Sequence, residues 1–246
     1  MRTFYWFLYF FAYLVRSAPI MSRLKRRCKG GEEAECSREA QRLAAKWAQD
    51  LLRVAGAEVT VDGIENLPEG PFVLTPNHQG YFDIPLYLTS IPGGIAFFSK
   101  MEVKRLPFIR TWMELLHCVF VQRGDKRQSM QAAHDAVHTL KQGHSLVIFP
   151  EGTRSKGDTI GPFKAGAFHI ARKAKVPVVP VCMDGSYRLM EGNRNWIRPA
   201  RVHFQILKPV DVASMDKEEF SHAAEYVRSL IVQEQQRIHS EQWGNV

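Results

Sequence analysis

From Glu58 onward, short β-rich runs at 58–61, 71–75, 95–99, 118–123, 145–149, 176–182 and 201–207 alternate with helical patterns. No other feature narrows the fold as much. Strands separated by helix-length segments pair as parallel neighbours, and the helices must cover the two faces of the resulting sheet. The segment 126–143 sets Met130, Ala133, Val137 and Leu140 on one side, with Gly143 as its C-cap. A second helix follows at 164–175, and a last one at 215–240 opens with Asp216 and Glu219 at capping-box spacing. DIPLYLTS (83–90) can start a helix whose first turn favours Asp83. The expectation is one α/β domain, residues 58–246, with a mixed sheet flanked by helices.

Residues 1–57 read differently. FYWFLYFFAYLV (4–15) has eight aromatic residues in twelve. As a helix it would cover about 18 Å at about 1.5 Å per residue, against a hydrocarbon core of about 30 Å. A secretory signal is the competing reading, but such cores favour Leu and Ala over Trp and Tyr, and Arg16 interrupts the approach to the cleavage site. Rings of this kind prefer a membrane interface. A basic cluster follows: Arg16, Arg23, Lys25, Arg26, Arg27 and Lys29, suited to anionic headgroups. After GGEEAE (30–35), SREAQRLAAKWAQDLLRV (37–54) repeats Leu43, Trp47 and Leu51 at helical spacing, with Ala40, Ala44 and Ala48 nearby. Two helices joined by such a loop can lie in one leaflet as a hairpin, or the second can pack its stripe on the domain core. The expected location is therefore a membrane surface, monotopic.

The net charge of +8 calls for an anionic partner or for simple solubility. Cys28, Cys36, Cys118 and Cys182 have no metal-type spacing, and reduced thiols fit the cytosolic side of a membrane. A nucleic-acid partner is not expected, because no groove-reading or stacking motif is present and the aromatics crowd at the N-terminus.

Two stretches carry chemistry. TPNHQGYFD (75–83) puts Asn77 and His78 at the carboxyl end of a strand, where α/β folds place their sites, and Asp83 five residues after the histidine. Gly80 permits a tight turn between them. A carboxylate on one ring nitrogen fixes the tautomer and raises the basicity of the other, so the pair can take a proton from an alcohol. A capped helix with a satisfied histidine would look the same. SLVIF (145–149) likewise ends in PEGTRSKG (150–157), which sets Glu151, Thr153 and Arg154 on a loop, and Gly152 lets something approach the backbone. Arg123 follows another strand, in VFVQRGD. Two arginines on neighbouring loops suit a phosphate, or one of them pairs with Glu151.

NHQGYFD, VFVQR (119–123), FPEGTRS (149–155) and VPVVPV (176–181) stand in the order and spacing of the glycerolipid acyltransferase family. Each block is short, but together in order they are specific. The chain resembles in particular the bacterial 1-acyl-sn-glycerol-3-phosphate acyltransferases over most of 58–210. The resemblance implies transfer of a fatty acyl group from acyl-CoA or acyl carrier protein to the free hydroxyl of 1-acyl-sn-glycerol 3-phosphate, forming phosphatidic acid, with no cofactor besides that co-substrate. Another lysolipid acceptor is the alternative. The resemblance also implies that His78 and Asp83 are the catalytic dyad, and that Arg123, Glu151, Gly152, Thr153 and Arg154 serve acceptor binding and site geometry. SKMEVKRLP (99–107) matches a lysine-bearing family segment and adds Lys100, with Lys104 behind it. A bacterial inner membrane, cytoplasmic face, is the location this implies. One departure stands out: His117 occupies the position of the small glycine that commonly opens the second block.

The residues agree with that chemistry. A thioester is already activated, so neither a serine nor a cysteine nucleophile is required, and no G-x-S-x-G is present. Cys118 and His117 are adjacent in a strand and point to opposite faces. His134 and His138, at helical spacing without H-E-x-x-H, read as a solvated face, so no metal is expected. A non-catalytic membrane-remodelling protein would need the N-terminal helices but not His78 or Asp83.

Overall fold

In the computed structural model, which describes residues 1–122 and 124–243, every expected strand forms. They are β1 (Ala57–Asp62), β2 (Val73–Pro76), β3 (Ala96–Lys100), β4 (Val119–Val121), β5 (Leu146–Val147), β6 (Val178–Asp184) and β7 (Ala200–Ile206). They make one seven-stranded sheet in the order β1-β7-β6-β2-β5-β3-β4. From β6 to β4 the strands run parallel; β7 is antiparallel to β6 and parallel to β1. β2 and β6 are buried at every residue, as strands covered on both faces must be, whereas the edge strand β1 is never fully buried.

Helices α4 (Asp83–Ser90), α5 (Pro107–Leu115), α6 (Lys126–Lys141), α7 (Gly166–Ala174) and α8 (Lys217–Trp243) join and follow the strands. Helix α4 packs on α3, and α6 packs on α7 and β4. The capping box of α8 forms in both directions: Glu219 N–H donates to Asp216 at 2.9 Å, and Asp216 N–H to Glu219 at 3.0 Å. On α6 the buried face is Ala132, Ala136, Val137 and Leu140, and Met130 is exposed, contrary to the stripe expected from spacing. Helix α5, which sequence reading did not separate from the lysine-bearing segment, starts with Pro107 at its first turn.

The N-terminal hairpin has a broken first arm. Helix α1 (Arg2–Arg16) gives way at Ser17 to α2 (Ala18–Lys29), because Pro19 has no N–H for the Val15 carbonyl. After Gly30–Gly31 the chain returns as α3 (Glu33–Ala55). Helix α3 packs on both sides. Its Ala40–Ala44–Ala48 face is buried toward α4, while Trp47 meets Phe10 and Tyr13 of α1 with ring centroids 5.4 and 6.1 Å apart. Helix α1 presents Trp6, Phe10 and Leu14 inward; the Trp6 ring N–H donates to the Leu51 carbonyl at 3.0 Å. Its opposite stripe, Phe4, Leu8, Phe11 and Val15, is exposed. Part of the basic cluster is engaged within the protein: Arg23 with Glu39 (2.8 Å), Arg27 with Glu32 and Glu39 (2.8 and 2.7 Å), and Lys25 with Glu114 (3.6 Å). Arg16, Arg26 and Lys29 are exposed. Among the described residues no helix is long and apolar enough to cross a membrane.

Candidate active site

The loops after β2, β5, β3 and β4 all leave the same carboxyl edge of the sheet, so topology alone gathers the blocks singled out in the sequence. β2 stops at Pro76. The amide of Asn77 then clips the chain to β6, donating to the Met183 carbonyl and accepting from the Met183 N–H, both at 2.8 Å.

Between Asn77 and α4 the turn closes around Asp83, which is fully buried. Its Oδ2 accepts from the backbone N–H groups of Gln79 (2.8 Å) and Gly80 (3.1 Å) and lies 2.7 Å from His78 Nδ1. Its Oδ1 accepts from the Ser186 hydroxyl. A carboxylate can only accept, so Nδ1 carries the proton and Nε2 keeps a free lone pair. Asp83 thus both closes the turn and orients the histidine. The His78 ring lies against Phe149, centroids 3.8 Å apart and planes 22° apart, and its side chain is 17% exposed. Gly80 is not needed for backbone freedom, since its φ is not left-handed. A Cβ there would stand 2.6 Å from Glu191 Oε2.

The second loop is laced to the first. Glu151 Oε1 accepts the His78 N–H at 2.7 Å, and Oε2 accepts the Gly161 N–H at 2.9 Å. Burial raises this carboxyl above its ordinary value, and the two backbone donors pull it back. The N–H groups of Ser155 and Lys156 donate to the carbonyls of His78 and Gln79 at 2.8 and 3.1 Å. Among the described residues Glu151 makes no ion pair; backbone donors engage both of its oxygens. Arg154 instead lies 3.6 Å over the Tyr81 ring, and its Nη1 donates to Glu191 Oε1 at 3.2 Å.

Gly152 takes a left-handed φ of 73°, and a Cβ there would be 2.8 Å from Lys164 Nζ. Thr153 is exposed at the loop tip. Lys100 is exposed at the carboxyl end of β3, next to β5; Lys104 sits 5.2 Å over the Phe120 ring. Arg123 lies outside the described residues. The departure at His117 has a backbone reason: its φ is +57°, a conformation that glycine adopts freely. Its ring stacks on His144, centroids 3.8 Å apart. Cys118 is buried, and burial pushes its thiol up to about 12.

Sequence reasoning missed Ser186, Glu191, Tyr81, Phe149 and Lys164. Ser186 and Glu191 follow β6 at the same carboxyl edge. That position was the one signal available, because neither residue stands in a recognisable block.

A family model described as Acyltransferase matches residues 58–184. A 1-acyl-sn-glycerol-3-phosphate acyltransferase of Saccharomyces cerevisiae is 30% identical, aligned over 78% of this chain and 65% of its own. A chloroplastic one from Brassica napus, BAT2, is 37% identical over 61% of this chain and 44% of its own. The crystal structure of the 1-acyl-sn-glycerophosphate (LPA) acyltransferase PlsC from Thermotoga maritima superposes with a TM-score of 0.83 at 28% identity, covering 97% of this chain and 95% of that one. The chain spans about half to two thirds of the length of these two curated relatives.

Proposed function

The chain belongs to the acyltransferase family, and we propose that it transfers a fatty acyl group from a thioester donor, acyl-CoA or acyl carrier protein, to the free hydroxyl of 1-acyl-sn-glycerol 3-phosphate. The observation that carries this reading is the hydrogen bond of 2.7 Å between His78 and a carboxylate buried among backbone donors, with no partner on the other ring nitrogen among the described residues.

In this reading His78 Nε2 takes the proton of the acceptor hydroxyl as its oxygen attacks the thioester carbonyl. The tetrahedral intermediate collapses with loss of the thiolate, which the imidazolium reprotonates. Asp83 stays ionised and stabilises the imidazolium. Such general-base assistance is worth about 100- to 10,000-fold. Arg154, aided by Arg123 and Lys100, takes the acceptor phosphate, and Glu151 holds the His78 backbone in place.

The acceptor resides in a bilayer, and the uncovered Phe4–Leu8–Phe11–Val15 stripe with the exposed Arg16, Arg26 and Lys29 supports docking on an anionic lipid surface. Formation of phosphatidic acid from lysophosphatidic acid and either donor, followed by mass spectrometry, tests the reaction. Acylation of a neutral lysolipid in preference to lysophosphatidic acid would contradict the assigned acceptor.

A further inference from the structure

Glu191 belongs to a short 3₁₀ turn, Glu191–Asn193, beyond β6. Its side chain is only 3% exposed, yet it touches both sequence blocks of the site. Oε1 accepts the Tyr81 N–H at 2.7 Å and the Arg154 guanidinium at 3.2 Å. Oε2 occupies the space that Gly80 leaves open and has no hydrogen-bond partner among the described residues. A buried carboxylate with an idle oxygen is costly, and burial raises its proton affinity. Packing alone would be served better by an apolar side chain of similar size. The arrangement does have a directional result: the guanidinium carbon lies 3.6 Å from the Tyr81 ring centroid and Nη1 is tied to the carboxylate, so the group and its remaining N–H donors are restrained beside the His78 turn.

We infer that Glu191 is a positioning residue for the acceptor phosphate, acting through Arg154. The inference rests on the acyl transfer proposed above. An unrestrained arginine loses rotamer freedom when it grips a phosphate; one already held loses less, and the difference appears as tighter acceptor binding. Only Nη1 is turned to Glu191, which leaves the rest of the fork for phosphate oxygens. Gly80 is part of the same device, because any Cβ at that position would displace the carboxylate.

The test is steady-state kinetics of the full chain with lysophosphatidic acid and a thioester donor. It compares wild type, Glu191→Ala, Glu191→Asp, Glu191→Gln, Arg154→Ala and the double change Arg154→Ala/Glu191→Ala, each with a melting curve. Glu191→Ala, and Glu191→Asp, which is too short to reach both partners, should each raise the acceptor KM on the order of tenfold while donor KM and kcat stay within about threefold. Glu191→Gln, whose amide oxygen can accept both bonds, should restore most of that loss. In the Arg154→Ala background the Glu191 change should add almost nothing. Glu191→Asp carries the test if Glu191→Ala fails to fold. A fall in kcat with acceptor KM unchanged, or an equal KM effect with and without Arg154, would overturn the inference. Wild type without acceptor-dependent turnover would instead remove the functional reading beneath it.

Discussion

Trp6 and Phe82 stand with their rings 5.3 Å apart, which joins the first helix of the chain to the residue immediately before Asp83. The N-terminal helices are therefore part of the support of the site. Leu24 and Trp6 are buried in the same core as the sheet, and the Thr3 hydroxyl accepts the Ile197 N–H at 2.9 Å. Removing residues 1–29 would unseat the His78–Asp83 turn as well as any membrane contact, so the two roles have to be separated by point changes.

Replacing Phe4, Leu8, Phe11 and Val15 together by serine should leave the fold and the melting temperature nearly unchanged, since all four are exposed. Flotation with anionic vesicles should fall by an order of magnitude or more, as each large side chain withdrawn from the interface forfeits about 1.5–3 kcal/mol at most. Turnover of a monomeric short-chain acceptor should persist. Undiminished vesicle binding would show that this stripe is not the docking face.

Asp83→Asn should cost activity far more than stability. With its amide oxygen at the Oδ2 position it can still accept from Gln79, Gly80 and His78, and its NH₂ can donate to Ser186 if that hydroxyl turns to Gln79 Oε1, 3.2 Å away. What it cannot do is stabilise an imidazolium, so turnover should drop about 100- to 10,000-fold. A collapse in melting temperature with normal turnover in the surviving fraction would make Asp83 a structural cap only.

Much of this was legible beforehand, and the limits have physical causes. Strands such as 176–182 and helix 83–90 announce themselves because β-rich runs and capping residues are local signals. The lacing of His78 to Glu151 was invisible, because its donors are backbone N–H groups with no sequence signature. Glu191 was hidden for a related reason: it reaches Tyr81 across 110 positions, and nothing in its own neighbourhood marks it. At Gly80 the expected tight turn is not what marks the position: its backbone is not left-handed, and the space a Cβ would take is filled by Glu191, a partner elsewhere in the chain.

Arg154→Lys should raise the acceptor KM by roughly ten- to a hundredfold more than the donor KM, corresponding to about 1.5–3 kcal/mol for one charge-assisted bond. Lysine also loses the guanidinium contact with Tyr81 and leaves Glu191 less well compensated, so a melting curve has to accompany the kinetics. Equal effects on both substrates with stability intact would move the acceptor phosphate to Lys100 and Arg123.

The stacked His117 and His144 supply a pH dependence. Burial lowers both imidazoles below 6.5, the charge of His144 lowers His117 further, and Glu33 opposes both shifts. The unfolded chain therefore binds more protons below about 6.5, so this contribution to stability is full above that value and is lost as pH falls through the lowered folded values. Glu151 and Glu191, raised by burial, act with the opposite sign at lower pH. His144→Phe keeps a ring against His117 and should flatten the fall in melting temperature between pH 7 and 5.5 relative to wild type. Parallel curves would show that the stack does not titrate in that range.

The most direct measurement of the central claim is thiol release from acyl-CoA and from acyl carrier protein thioester, with and without lysophosphatidic acid, by wild type and His78→Ala in anionic vesicles. The account predicts release that depends on lysophosphatidic acid in the wild type with at least one donor. It also predicts a loss of about 100- to 10,000-fold in a His78→Ala variant that melts normally. Near wild-type turnover by that variant, or no acceptor-dependent release from either donor by the wild type, would contradict it.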